Sequence, residues 1–340
     1  MRLVLRLLLL GLFACIALGI AGWGALAIWY ALPAGESVRL ALAAAFLVLG
    51  VIGLVVAVWQ RRIVLPLAPF AIAGVVLAAW WSTVTPSNDR DWLADVARNP
   101  TAEIDGDRVT LQDVRRFAYR SADDYTANWH DRTLDLDKLE TLDLYAVYWM
   151  GDSIAHIMVS FGFAGEEPVT ISIETRKEQG EAYSTIAGFF RQYELYYVVS
   201  EEPDVVALRT SYREPPEDVY LYRVAIPKEH IRRLFLHYLG EINRLAEEPK
   251  FYNTATTNCT TVIAMHARAL GGELPRSWKV LLSGYFPELL HEPSGILHIP
   301  GRGNALGPDL RDNCVPLQRL GRPGNDPEHA AQGLHRVCFA

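Results

Sequence analysis

Tyr252-Asn-Thr-Ala-Thr-Thr-Asn-Cys-Thr-Thr261 decides how the polar part of this 340-residue chain is read. A polar, turn-forming run leads into an apolar pattern of helical period, which predicts a helix from about Thr260 to Leu270 that stops at Gly271-Gly272. Cys259 stands at the predicted helix start. There the dipole and free backbone N–H groups stabilise a thiolate and lower the thiol pKa. The same N–H groups suit an oxyanion.

A thiolate needs a base. Upstream, Gly151-Asp-Ser-Ile-Ala-His-Ile-Met-Val-Ser-Phe-Gly-Phe163 reads as a turn followed by a strand, with His156 near its start. Ile157, Val159 and Phe161 share one face of this strand, and His156, Met158 and Ser160 share the other. The next predicted strand, Val169 to Arg176, carries Glu174, a carboxylate placed to hold the imidazole in one tautomer. Asn258, Tyr252 and Thr260 are candidates for substrate or oxyanion support. Blander readings stand beside these. An isolated cysteine is often a small buried hydrophobe, a strand histidine is often structural, and Glu174 with Arg176 and Lys177 reads equally as a solvated charge cluster. The sequence has no HExxH, P-loop or GxGxxG motif, and Thr210-Ser211 and Ser283-Gly284 do not form a hydrolase elbow. No metal or cofactor site is expected.

Around this nucleus the pattern predicts a mixed domain. Ile104-Asp-Gly-Asp-Arg-Val109 is a hairpin about an Asp-Gly turn, and Leu111 to Tyr119 a short helix. Further strands are expected at Leu144–Trp149, Leu195–Val199, Val205–Tyr212 and Val219–Val224. Thr185–Tyr193 is expected to be helical. Pro227–Glu247 is an amphipathic helix, with Ile231, Leu234, Phe235, Tyr238, Leu239 and Ile242 on one face. The tail, from residue 300 to 340, is rich in Gly, Pro, Asn and Arg and is expected to be irregular. Strands first and helices later suggest α+β.

The front of the chain is a different material. Residues 1–82 hold five basic and one acidic side chain, and the remainder 27 and 38, a net of +4 against −11. Leu7–Tyr30, Leu40–Trp59 and Ile63–Trp81 are long enough to cross about 30 Å of hydrocarbon, and Trp29, Tyr30, Trp59, Trp80 and Trp81 sit at their ends. A signal peptide accounts for one such run and not for three. Arg2, Arg6, Arg61 and Arg62 place the N-terminus and the second turn in the cytoplasm, and Ser82 onward on the far side. The expectation is a bacterial inner-membrane protein with a periplasmic domain. A domain at −11 also repels phosphate backbones unless a local basic patch exists, which argues against nucleic acid as partner. Of four cysteines, Cys15 lies in the first span and Cys259 is assigned to chemistry. That leaves Cys314 and Cys338, expected to form a disulfide on the oxidising side.

The region from about Asp143 to Leu290 resembles the periplasmic domain of the Lnb-type family, named for lipoprotein N-acyltransferases. The resemblance rests on His156 through Phe163, Ile171 through Tyr183, Phe189 through Leu195, Asp218 through Tyr222, and Phe251-Tyr-Asn-Thr through Asn258-Cys-Thr-Thr261. It implies an α+β papain-like fold of the circularly permuted NlpC/P60 type, in which histidine precedes cysteine. It also implies Cys259 as nucleophile, His156 as base and Glu174 as orienting residue. The expected organisation is then a three-helix anchor (1–82), a linker with the first elements of the soluble domain (83–142), a catalytic domain (143–299) and the tail (300–340). The expected activity is transfer of a phospholipid acyl chain through a Cys259 thioester to the N-terminal amine of a lipoprotein. The alternatives are a cysteine amidase or peptidase acting on cell-wall peptides, and a silent binding module.

Overall fold

The computed structural model describes residues 2–60, 62, 64–271, 274–291, 314–316 and 336–338. The chain forms two compact units: residues 1–87 with 183–193, and residues 88–182 with 194–340.

The first unit holds three helices, α1 (Arg2–Ala31), α2 (Glu36–Gln60) and α3 (Val64–Thr83). Each is long and apolar enough to cross a membrane. They pack through a narrow core of Ala21, Ile28, Ala43, Phe46, Ala57, Leu67, Phe70 and Leu77. The approach is close because glycine faces aromatic: a Cβ at Gly24 would collide with Phe46, and one at Gly50 would lie 2.9 Å from Phe70. Small residues at such contacts are how helices associate where apolar burial supplies no drive. The outward side chains, such as Leu12, Ile16, Val48, Val55, Ile72 and Val75, are exposed hydrophobics, as a lipid-facing surface requires. Arg61, one of the basic residues that orient the spans, lies outside the described residues.

The second unit is built on one mixed sheet. Its strands are β1 (Thr101–Asp105), β2 (Arg108–Arg115), β3 (Ala118–Tyr119), β4 (Tyr125–Thr126), β5 (Trp129–Asp135), β6 (Leu139–Tyr148), β7 (Ala155–Phe163), β8 (Val169–Arg176) and β9 (Glu194–Glu201). Helix α4 (Glu202–Ala207) precedes β10 (Asp218–Arg223), and helices α5 (Lys228–Glu247), α6 (Cys259–Ala269) and α7 (Phe286–His291) follow it. Two short tail strands close the sequence, β11 (Cys314–Pro316) and β12 (Arg336–Cys338). The order across the sheet is β1-β2-β9-β8-β7-β6-β10-β12-β11, with β5 on β2 and with β3 and β4 paired separately. From β9 to β10 all pairs are antiparallel, while β2–β9 and β10–β12 are parallel.

Both faces of the central strands are buried, which explains their nearly continuous apolar runs. On one face Phe161 and Phe163 of β7 meet Phe235 of α5, and Tyr238 of α5 meets Phe161 and Tyr197. Helix α6 lies beside α5, with the buried His266 ring stacked on Tyr238 at 3.6 Å and hydrogen-bonded to Tyr197 and His237. Burial, with the neighbouring His237, pushes the His266 pKa down to about 3, so it is a neutral core residue. On the other face α4 seats Val205 and Val206 against Tyr145, Val147, Met158 and Val219.

Several expectations are corrected. Leu111–Tyr119 is not a helix: β2 continues to Arg115, with a bulge between Leu111 and Val114 where Asp113 adopts φ 56°. The bulge breaks the alternation of the buried Val109, Leu111 and Val114, so the pattern imitates a helical period. Val205–Tyr212 is not a strand but α4 followed by a wide turn over Leu208–Tyr212. Pro203 opens the helix and Glu202 and Asp204 occupy its first turn. Within the expected helix Thr185–Tyr193 only a single turn forms, at Ala187–Phe189. The tail is not wholly irregular, since β11 and β12 join the sheet; residues 292–313, 317–335 and 339–340 lie outside the described residues.

Candidate functional site

Cys259 is the first residue of α6 and is buried. Asn258 caps the helix in a reciprocal box: its side-chain oxygen accepts from the Thr261 N–H at 2.9 Å, and its own N–H donates to the Thr261 hydroxyl at 2.8 Å. The amide of Asn258 also donates to the Thr254 carbonyl at 2.7 Å, which ties the helix start to the preceding turn. The fully buried Thr260 hydroxyl donates to the Val280 carbonyl and sits 2.9 Å from Asn258 Oδ1. Thr260 therefore points inward, and only its backbone faces the helix start. The cap uses the N–H groups of Asn258 and Thr261. Among the described hydrogen bonds those of Cys259 and Thr260 have no acceptor.

His156 reaches Cys259 from the beginning of β7. The two groups are near enough that each shifts the other's pKa, and the backbone N–H of Ile157 also favours the thiolate. Imidazole Nε2 lies 2.7 Å from Ser172 Oγ and 3.0 Å from Glu174 Oε1, and the Ser172 hydroxyl donates to the same carboxylate oxygen at 2.7 Å. These partners assign the Nε2 proton to the Ser172–Glu174 side. Ser172 and Glu174 share one face of β8, and Ser172 is directly opposite Met158, which shares the His156 face of β7. The three side chains thus meet because the β7–β8 register puts them on one surface.

The start of β7 is clamped from a distant segment. Ser283 Oγ accepts from the Ala155 N–H at 3.0 Å, the Gly284 N–H donates to Ser153 O at 3.1 Å, and the Tyr148 hydroxyl donates to Gly284 O at 2.7 Å. A Cβ on Gly284 would run into the Asp152 carbonyl, so glycine is required for the approach.

The charges form a chain. Arg209 donates to Glu174 at 2.9 Å and pairs with Glu217 at 3.3 Å, and Arg213 pairs with Glu217 as well. Burial opposes ionisation of Glu174, yet His156 and Arg209 hold its carboxyl well below the usual range. About a quarter of the Glu174 side chain stays exposed, so water screens part of this field. Burial also opposes the imidazolium, but Glu174 and the thiol outweigh it and raise the His156 pKa to about 9. For Cys259 burial disfavours the thiolate, while the hydrogen bond and charge of His156 and the Ile157 N–H outweigh it and lower the pKa. Both shifts favour a thiolate–imidazolium pair, the form that attacks carbonyl carbon.

Of the six residues picked from sequence, His156 and Glu174 are paired at 3.0 Å, Cys259 is electrostatically coupled to His156, and Asn258 caps the helix that Cys259 opens. Tyr252 is buried beside Phe251, which bridges Glu194. The sequence reading missed Ser172 and Arg209. Ser172 had a signal, two residues before Glu174 on a strand. Arg209 had none, because its segment read as a strand. Arg176, the expected solvated partner of Glu174, is instead buried under Trp92 and Tyr196 and donates to the Val96 and Ala97 carbonyls.

A cleft of about 630 Å³ is lined by Tyr148, Trp149, Asp152, Arg213, Glu217 and Tyr220, with Glu214 and Asp218 also on its wall. It shares Glu217 with the Arg209 chain, and its Asp152 belongs to the turn that leads into β7.

Residues 125–284 match the family model of the Lnb N-terminal periplasmic domain. That span contains Cys259, His156, Ser172, Glu174 and Arg209, and ends at the Gly284 clamp. No curated protein and no solved structure matches the chain.

Proposed function

We propose that this chain, whose residues 125–284 belong to the Lnb N-terminal periplasmic domain family, is a thiol acyltransferase of the bacterial inner membrane. Three apolar helices joined to a domain of this family fit an inner-membrane protein with a periplasmic domain. The basic residues of the N-terminus and the α2–α3 turn favour a cytoplasmic N-terminus. The observation that carries the chemistry is the row Cys259–His156–Glu174, with the sulfur at the start of α6.

In this reading the Cys259 thiolate attacks the carbonyl carbon of an ester. The N–H groups of Cys259 and Thr260 stabilise the oxyanion, and the His156 imidazolium gives its proton to the departing alkoxide. The resulting thioester is attacked by an amine. His156, now neutral, accepts the amine proton, and the thiolate leaves and is restored. Glu174 with Ser172 holds the ring and stabilises the imidazolium at each stage. Asn258 fixes the helix start. The papain-like, permuted NlpC/P60 relationship is supported by the order of His156 before Cys259 and by the cysteine helix packed beside the sheet. The proposed donor is a membrane phospholipid and the proposed acceptor a lipoprotein N-terminal amine. The carboxylates of Glu214 and Asp218 on the cleft wall suit a protonated amine.

The same polar cleft favours a second reading, a cysteine amidase or peptidase of cell-wall peptides. Mass spectrometry of protein purified from membranes separates them. A fatty-acyl thioester on Cys259, absent in Cys259→Ala and discharged onto an amine-bearing lipopeptide with amide formation, is the expected result. An unmodified thiol that releases stem-peptide fragments sinks the transferase reading.

A further inference from the structure

The segment Tyr183–Tyr193 connects β8 to β9 in sequence, yet it clusters with the three apolar helices. It carries one charge, Arg191, and that charge is committed to the end of α3. The guanidinium donates to the carbonyls of Trp81 at 2.9 Å and Val84 at 3.0 Å, and lies 4.7 Å from the centre of the Trp81 ring. Arg191 does this from φ 55°, a conformation that a side-chain-bearing residue seldom keeps without a reason. Its neighbour Phe190 stacks on Tyr30 at the end of α1, with ring centres 5.8 Å apart. Trp81 in turn meets Trp23 edge-on at 5.2 Å and Trp80 at 6.2 Å. The segment is therefore fastened into an aromatic cluster at one end of two membrane-length helices, the place where Trp and Tyr mark the boundary between acyl chains and headgroups.

The turn satisfies part of its own backbone. Gly188 N donates to Ser184 O, Phe189 N to Ile186 O and Phe190 N to Ala187 O, and the Tyr193 hydroxyl accepts from the Ser184 N–H. Self-satisfied backbone is a condition for leaving water. With the polar groups so engaged, Ile186 stays 51% exposed and Phe189 45% exposed. Two large apolar side chains are thus held exposed on a segment fastened to the ends of α1 and α3. We infer that Tyr183–Tyr193 is an interfacial lipid-binding element, with Ile186 and Phe189 seated among the acyl chains of the leaflet at the Trp81 end of α3. The occupant is bilayer lipid, because Phe190 and Arg191 fasten the segment to the ends of α1 and α3 and the exposed pair carries no charge to meet a polar partner. The inference rests on α1–α3 spanning the membrane and is independent of the chemistry at Cys259.

The test uses the full chain in vesicles of phosphatidylethanolamine and phosphatidylglycerol, with the photocrosslinker p-benzoylphenylalanine replacing Phe189, Ile186 or, as lipid-facing control, Val75. Illumination followed by mass spectrometry should give phospholipid adducts at 189 and 186 within about threefold of the yield at 75. Adducts at 75 with less than about a tenth of that yield at both 186 and 189 would overturn the inference. So would a dominant protein–protein crosslink at 189, which would assign the patch to a second copy. Absence of lipid at all three positions would refute the membrane spans and this element with them.

Discussion

At Cys259 and His156 the shifts run in opposite directions: the His156 pKa is raised to about 9 and that of Cys259 is lowered, and both favour the imidazolium–thiolate form of the pair. The sign of the pH dependence follows. A raised histidine pKa stabilises the fold fully below the ordinary value of about 6.5, and that contribution fades as pH climbs through about 9. The same deprotonation removes the acid that serves the leaving group, so the rate of thioester formation should fall on an alkaline limb near 9. In Glu174→Gln the charge that raises the pKa is gone, while burial and Arg209 still oppose the imidazolium. The alkaline limb should then move to lower pH by about two units, with a rate loss of about 10–100-fold at pH 7, whereas Cys259→Ala should form no thioester. Single-turnover acylation of Cys259 across pH checks this. An unmoved limb would mean that Glu174 does not act on His156.

At the scale of elements, α4 is held by a charge that its sequence does not advertise. Asp204 is fully buried and accepts from Arg115 Nε and Nη2, from the Phe117 N–H at 2.7 Å and from the Tyr119 hydroxyl at 3.1 Å. One carboxylate thus joins α4 to the end of β2 and to β3. Arg209, which positions Glu174, follows α4 directly in the wide turn. Asp204→Ala leaves the buried Arg115 guanidinium uncompensated and should cost about 3–5 kcal/mol of unfolding free energy. Denaturant unfolding of the detergent-solubilised protein measures it. A loss below about 1 kcal/mol would show that the pair is solvated and does not anchor α4.

For the molecule as a whole, the tail closes the sheet edge beyond β10. Strand β12 runs parallel to β10, and β11 returns antiparallel with Cys314 opposite Cys338. The side chains of these two strands lie outside the described residues, so the disulfide remains our proposal. Opposed residues of an antiparallel pair have the Cα spacing that a disulfide needs. The bridge would close a loop of 25 residues and contribute about 3–4 kcal/mol by chain entropy. It would also keep tail thiols away from the nucleophile. Labelling of unreduced, denatured protein should modify Cys15 and Cys259 alone. Four modified sites would reject the bridge and count against an oxidising compartment.

The sequence by itself determined the elements whose period is strong and whose burial is uniform. The three apolar runs, β7, β8 and the amphipathic α5 needed no tertiary information, because length and alternation record burial directly. It also placed Cys259 at a helix start, since Asn258 and Thr261 carry the helix cap in local order. Tertiary structure alone decided the rest. The bulge at Asp113 disguised β2 as a helix, and β-branched residues facing a buried sheet disguised α4 as a strand. Ser172 and Arg209 enter the site through a strand register and a buried ion pair, and the Gly284 clamp closes over more than a hundred residues of chain. Such contacts leave no periodic trace, because they depend on which distant surfaces meet and not on the neighbours of each residue along the chain.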